Sequence, residues 1–233
     1  MACFSAIDNC GFQVNRLDCD GNILNGAEDV VVTCSVTDFS YEPIRGESRT
    51  TNDPNGRGGY CAERIDEGSI EGYEITLTLC SKTDPALMEL LGLGQRVINA
   101  DGDTVGFQPN DPADNCDCQT PPDGCSDPGV AIMFWHLAWC DKERLADLPF
   151  AISAFPKIVW DEGFSVTRNN EFNTYELTGR AYLNEQWGQG PGSVYPNAAG
   201  LQTFYSEFAT AVPFPGGCDC ALCGFATADF LGV

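Results

Sequence analysis

The chain is predicted to be mainly β, and three observations carry that prediction. Short segments alternate strictly between apolar and polar side chains, as in Ile75-Thr-Leu-Thr-Leu-Cys80, and that alternation belongs to a strand half-buried against a core. Twenty-five Gly and fourteen Pro supply turns throughout the 233 residues, which suits many short strands. One segment alone, Asp84-Pro-Ala-Leu-Met-Glu-Leu-Leu91 followed by Gly92, combines helical spacing with start and stop signals.

The elements follow in chain order. Val30-Val-Val-Thr-Cys-Ser-Val36 is expected to be one strand with Val30, Val32, Cys34 and Val36 on a single face. Residues 41–64 form a long, polar, Gly-rich excursion. It holds Glu42, Glu47, Asp53 and Glu63 against Arg45, Arg49, Arg57 and Arg64, so it is charge-neutral in a strongly acidic chain. In the next strand Ile75, Leu77 and Leu79 oppose Thr76, Thr78 and Cys80. The helix takes Asp84 as its N-cap and Pro85 at the first helical position, where the missing N–H costs nothing. Leu87, Leu90 and Leu91 share its apolar face and Gly92 offers a left-handed exit.

An acidic insertion spans 99–129. It contains Asp101, Asp103, Asp111, Asp114, Asp117, Asp123 and Asp127, five prolines, three cysteines and no basic residue. Val130 to Trp135 is apolar on both faces, as expected of a central strand between two layers. Phe164-Ser-Val-Thr and Thr174 to Leu183 flank the polar Arg168-Asn-Asn-Glu171, which predicts a hairpin. Its second strand should place Tyr175, Leu177, Ala181 and Leu183 on one side. The chain is expected to be a single domain over 1–233, with a Cys-rich tail at 213–233.

Twelve basic residues against 34 acidic give a net charge of −22. Such a surface repels phosphate and excludes a basic groove for nucleic acid. Residues 1–30 hold no basic n-region followed by an apolar stretch. The longest apolar run, Val130 to Cys140, has eleven residues, about half the roughly 20 a spanning helix needs. A soluble protein made without export is expected.

Nothing in the sequence assembles an enzyme. The single His136 lies inside an apolar run, where a packed core or interface histidine is favoured over a general base. No Gly-x-Ser-x-Gly elbow or Gly-rich phosphate loop accompanies it. Asp18-Cys-Asp-Gly-Asn22 and Asp101-Gly-Asp103 lack the spacing and terminal Glu of a Ca²⁺ loop. Turns between strands explain them better. The constellation with metal-binding potential is Cys116, Cys118 and Cys125 with Cys218, Cys220 and Cys223. Cys220-Ala-Leu-Cys223 has the gap that lets two thiolates face one Zn²⁺. Disulfides or free thiols are favoured over zinc at these six positions. Thirteen cysteines is an odd count, so at least one stays free, binds metal or pairs between chains.

Four segments taken in order carry a family resemblance: the strand at 75–80, the helix at 84–91, the turn Val97-Ile-Asn-Ala-Asp-Gly-Asp-Thr-Val-Gly-Phe107, and Tyr175-Glu-Leu-Thr-Gly-Arg-Ala-Tyr182 with the following Asn184-Glu-Gln-Trp-Gly-Gln-Gly-Pro191. Together, from about Val30 to Pro191, they resemble the major tail (tail tube) proteins of long-tailed, siphovirus-type bacteriophages. The resemblance implies a β-sandwich or flattened barrel with one short flanking helix. It implies hexameric rings stacked into a tail tube that conducts DNA into the host without binding it. Tape-measure and tail-terminator proteins would be partners, and the protein would reside in the virion tail after assembly in the host cytoplasm. The family's long loop or hairpin at 41–64 makes Arg45, Arg49, Arg57 and Arg64 the expected subunit contacts. The acidity then has two readings, solubility or salt adaptation on one hand and a DNA-repelling lumen on the other. The rival class is a Cys-rich virion decoration or adhesion module, stabilised by disulfides or zinc. A hydrolase built on acidic residues is a third.

Overall fold

Fourteen strands and one helix occupy the residues that the computed structural model describes, namely 5–47, 49–54, 60–66, 68–80, 85–109, 129–140, 143–161, 165–168, 173–188, 190 and 203–215. The main sheet has ten strands. Its path runs β2 (Val30–Thr33), β1 (Ser5–Arg16), β9 (Val130–Cys140), β11 (Phe150–Trp160), β13 (Asn173–Ala181), β6 (Ile70–Cys80) and β3 (Val36–Arg45), every neighbour antiparallel. β10 (Glu143–Arg144), β12 (Ser165–Arg168) and β14 (Ser206–Thr210) attach to β9, β13 and β11.

The order of the path forces curvature. β2 and β3 lie at its opposite ends, yet only Cys34 and Ser35 separate them in sequence. Three trans peptide steps span at most about 11 Å, whereas a flat sheet of this width would hold its ends almost 30 Å apart at about 4.8 Å per strand. The sheet therefore curls into a barrel that stays open. The corner is held by side chains: the hydroxyls of Thr33 and Ser35 are 2.8 Å apart, and the Ser35 N–H donates to Thr33 Oγ1 at 3.1 Å. Across it the Cys80 N–H donates to the Ser35 carbonyl at 2.9 Å.

This corner corrects the single strand expected at 30–36. Val30, Val32 and Cys34 do share a face, but Val36 packs with Val31 in the opposite core. The chain changes strand partners between Thr33 and Val36, from β1 to β6, and the alternation restarts there.

Curling produces an inner and an outer core. Phe12, Val14, Ile75, Leu77, Leu79, Ile132, Phe134 and Phe155 fill the inside. On the outside Val30, Val32, Met133, Trp135 and Ile152 are covered by Trp187 and Phe214. The apolar run at 130–135 therefore lies between two layers, with alternate residues in each core. Trp135 Nε1 donates to the Val212 carbonyl at 3.4 Å, and its ring centroid is 5.7 Å from that of Phe214. Gly11 (φ 151°) sits beneath Phe214, where a Cβ would come within 2.4 Å of the ring. Asn184 is buried and donates from Nδ2 to the carbonyls of Gly21 and Pro156 at 2.9 and 3.1 Å, pinning the turn after β1 to β11.

The helix α1 (Pro85–Leu90) closes one end of the barrel. Leu87, Leu90 and Leu91 are buried as the spacing predicts, and Met88 joins them. Its exit is a Schellman motif: the Leu93 N–H reaches the Met88 carbonyl and the Gly92 N–H that of Glu89, both at 3.0 Å, with Gly92 at φ 75°. Asp84, the expected cap, lies outside the described residues.

Two further hairpins stand apart from the main sheet. β4 (Arg49–Pro54) pairs β5 (Tyr60–Asp66), continuing the β3–β6 ribbon across Gly46 and Gly68. β7 (Gly94–Ile98) pairs β8 (Thr104–Pro109) around a turn in which Asn99 Oδ1 accepts from the N–H groups of Asp101 and Asp103, both at 2.9 Å. The start of the 99–129 insertion therefore belongs to a hairpin, and 110–128 lie outside the described residues. β12 and β13 form the hairpin expected near 164–183. Leu183 departs from that expectation: β13 ends at Ala181, and Leu183 is exposed rather than facing the core with Leu177.

Candidate functional site

Between β3 and the β14 segment the barrel interior opens into a cleft of about 340 Å³. Strand alternation sets its walls. His136 follows the buried Phe134 on the inner face of β9, and Ser153 precedes Phe155 on that of β11. Phe39 and Tyr41 come from β3, while Tyr205 and Glu207 come from the β14 segment. The rings form one cluster: Phe39 to Phe134 is 4.0 Å between centroids, Tyr41 to Tyr205 is 4.9 Å, and Phe155 to Tyr205 is 4.9 Å.

A hydrogen-bond chain crosses the mouth and ties β3 to β14. The Tyr41 hydroxyl donates to the Tyr205 oxygen at 3.1 Å, and the Tyr205 hydroxyl donates to Glu207 Oε2 at 3.0 Å. Burial pushes the Tyr205 phenol far above its ordinary range, aided by the charge of Glu207, with Ser153 opposing. It therefore remains a donor. Burial lowers the pKa of His136, partly offset by Glu207. The imidazole is accordingly neutral at pH 7, and the carboxylates Asp38 and Glu207 give the cleft its negative charge. Among the described residues neither carboxylate is paired with Lys or Arg.

The residues singled out from sequence fall elsewhere. Arg45 ends β3 with its side chain exposed, Arg49 opens β4, and Arg64 lies on β5 opposite Thr51. Arg57 lies outside the described residues, as do Cys116, Cys118, Cys125, Cys218, Cys220 and Cys223. Cys10, Cys34 and Cys80 are disulfide-bonded, and three is odd, so at least one bridge runs to a cysteine beyond these three. Among the described residues no group of three or more His, Cys, Asp or Glu side chains is placed to hold a metal ion. The Asp18 carboxylate accepts from the N–H groups of Asp20 and Asn22 and from Asn22 Nδ2 at 2.8–2.9 Å. The Asn22 side chain leads in holding its pKa below the usual value, as in an Asx turn.

Tyr41, Tyr205, Glu207 and Asp38 were not marked by the sequence. Their only signal is the short alternation around 204–210, and nothing local links it to residues near 40. No protein-family model matches the chain, and no curated protein matches it. Among solved structures it is similar to the anti-feeding prophage cap, the AFP tube-terminating cap, with a TM-score of 0.34 and 13% identity over 78% of this chain and 91% of that one. It is also similar to a chain of the PVC sheath–tube complex of an extracellular contractile injection system in the extended state (TM-score 0.33, 11% identity, 88% and 92% covered). A third likeness is to the PVC sheath/tube terminator in the extended state (0.30, 11%, 72% and 87%). Superpositions at these scores transfer no residue role.

Proposed function

We propose that the protein is a structural tail-tube component whose subunits join through open sheet edges into rings, and whose rings stack into a conduit for DNA. The observation that carries this reading is the state of β3. The chain brings both ends of the sheet together at Cys34–Ser35, yet β3 remains a ten-residue strand, exposed over most of its length and paired among the described strands with β6 alone. A long unpaired edge invites uncontrolled association unless it is covered or closed, and a ring of identical subunits closes it. Pro43 and the bulge between Val36 and Asp38 restrict which partner strand can add there.

The order of the four tail-tube-like segments supports the finer reading: a siphovirus-type major tail protein in hexameric rings, resident in the virion tail, assembled in the host cytoplasm, with tape-measure and terminator proteins as partners. Its work is done at interfaces and needs no catalytic group or cofactor. Acidic side chains on the lumen would repel phosphates within a Debye length of about 8 Å in physiological salt. Negative-stain microscopy of the purified protein tests the proposal: rings or tubes are expected, and featureless particles would contradict it.

The disulfides of Cys10, Cys34 and Cys80 also fit the rival virion decoration or adhesion module. They favour stapling over zinc for the remaining cysteines under either reading. Denatured, unreduced protein should therefore show fewer than the 13 thiols it carries after reduction, with no stoichiometric zinc. Thirteen titratable thiols before reduction would contradict the stapling.

A further inference from the structure

We propose that the cleft between β3 and β14 is a receptor for a guanidinium group, supplied by an arginine of a second copy of this chain. The inference rests on the conduit reading above and adds the acceptor site to it. Three features of the cleft point to a cation of that shape. Its walls include the aromatic rings of Phe39, Tyr41 and Tyr205, and an open ring face attracts cations. Its carboxylates, Asp38 and Glu207, have no cationic partner among the described residues. Among its described lining residues the one basic-type side chain, His136, is neutral.

The phenol chain strengthens this polarity. Tyr41 and Tyr205 both spend their protons in the direction of Glu207, so one carboxylate edge is fixed and the other remains available to accept. A planar guanidinium can stack on a ring while donating two parallel hydrogen bonds to a carboxylate, which an ammonium cannot do.

Charge complementarity selects the occupant. The whole chain has twelve basic residues, and four of them, all arginines, lie in 41–64. That segment continues the same β3–β6 ribbon whose inner face supplies Tyr41 to the cleft. In a protein of net charge −22, self-association needs such a local reversal of sign to overcome mutual repulsion.

The test uses unassembled full-length protein, with methylguanidinium as probe and neutral methylurea as control. The chain has one histidine, and it lines the cleft, so its ring signals in an NMR spectrum report occupancy without ambiguity. Methylguanidinium should shift them saturably and methylurea should not. Glu207→Gln and Asp38→Asn should together weaken the shift about tenfold. The same pair should raise the critical concentration for assembly about tenfold, which is about 1.4 kcal/mol per subunit contact. Glu207 and Asp38 are exposed, and Asp38→Asn alone serves if the pair fails to fold.

No saturable shift, or an equal response to methylurea, overturns the receptor. A shift accompanied by unchanged assembly of the variant overturns the second copy as occupant. Failure of the unaltered protein to assemble at all overturns the conduit reading and the occupant with it, while the titration still decides whether the cleft takes guanidinium.

Discussion

Deleting the chain between Gly46 and Gly59 is expected to abolish tube formation and leave a folded monomer. The deletion removes β4, whose one partner among the described strands is β5 in a sheet of their own, so the ten-stranded sheet keeps every pairing without it. The base of the ribbon is already closed by the Gly46 N–H donating to the Ser69 carbonyl at 2.9 Å. Shortening a surface connection changes closure entropy little, about 0.6 kcal/mol per doubling of length. Assembly has more to lose. A single exposed ion pair contributes at most about 1 kcal/mol, but contacts repeated around a ring and along a stack act together. Replacing Arg45, Arg49 and Arg57 with Glu in one variant should likewise block pelletable assemblies at low salt. The thermal midpoint of the monomer should hardly move. Normal tubes from either variant would remove 41–64 from the interface.

Phe134→Ala should have the largest effect on stability, about 3–5 kcal/mol. The ring is 2% exposed and stands between Phe12, 5.6 Å away by centroid, and Phe39, 4.0 Å away. Neighbours held by strands on three sides cannot collapse into the space that the ring leaves. A loss of this size removes a large share of the 5–15 kcal/mol typical of a domain. Tyr41, with 40% of its surface exposed at the mouth of the same cluster, should cost far less when truncated. Urea unfolding of both variants checks the contrast, and equal midpoints would place Phe134 outside a rigid core.

What the sequence revealed follows from how local each signal is. The strand at 75–80 and the helix exit at Gly92 depend on neighbouring residues, and both are found. β1 escaped notice because Gln13 and Asn15 are as deeply buried as Phe12 and Val14. Gln13 Nε2 donates to Asn15 Oδ1 at 2.7 Å, so an amide pair stands where the pattern calls for apolar residues. The face of Val36 was misassigned because a corner two residues long resets the alternation without any Gly or Pro to announce it. The cleft was illegible for a stronger reason. Asp38, Tyr41, His136 and Glu207 come from strands far apart in sequence and meet only because the sheet curls. No spacing along the chain encodes that meeting.

On the proposed function, β3 is an edge waiting for a neighbour. A reconstruction of the assembled protein at a resolution that separates strands tests it most directly. Rings are expected in which the free edge of β3 (Val36–Arg45) lies against a strand of the adjacent subunit, so that the wall of the tube is continuous sheet. Rings or tubes in which that edge faces solvent, with subunits joined elsewhere, would contradict it.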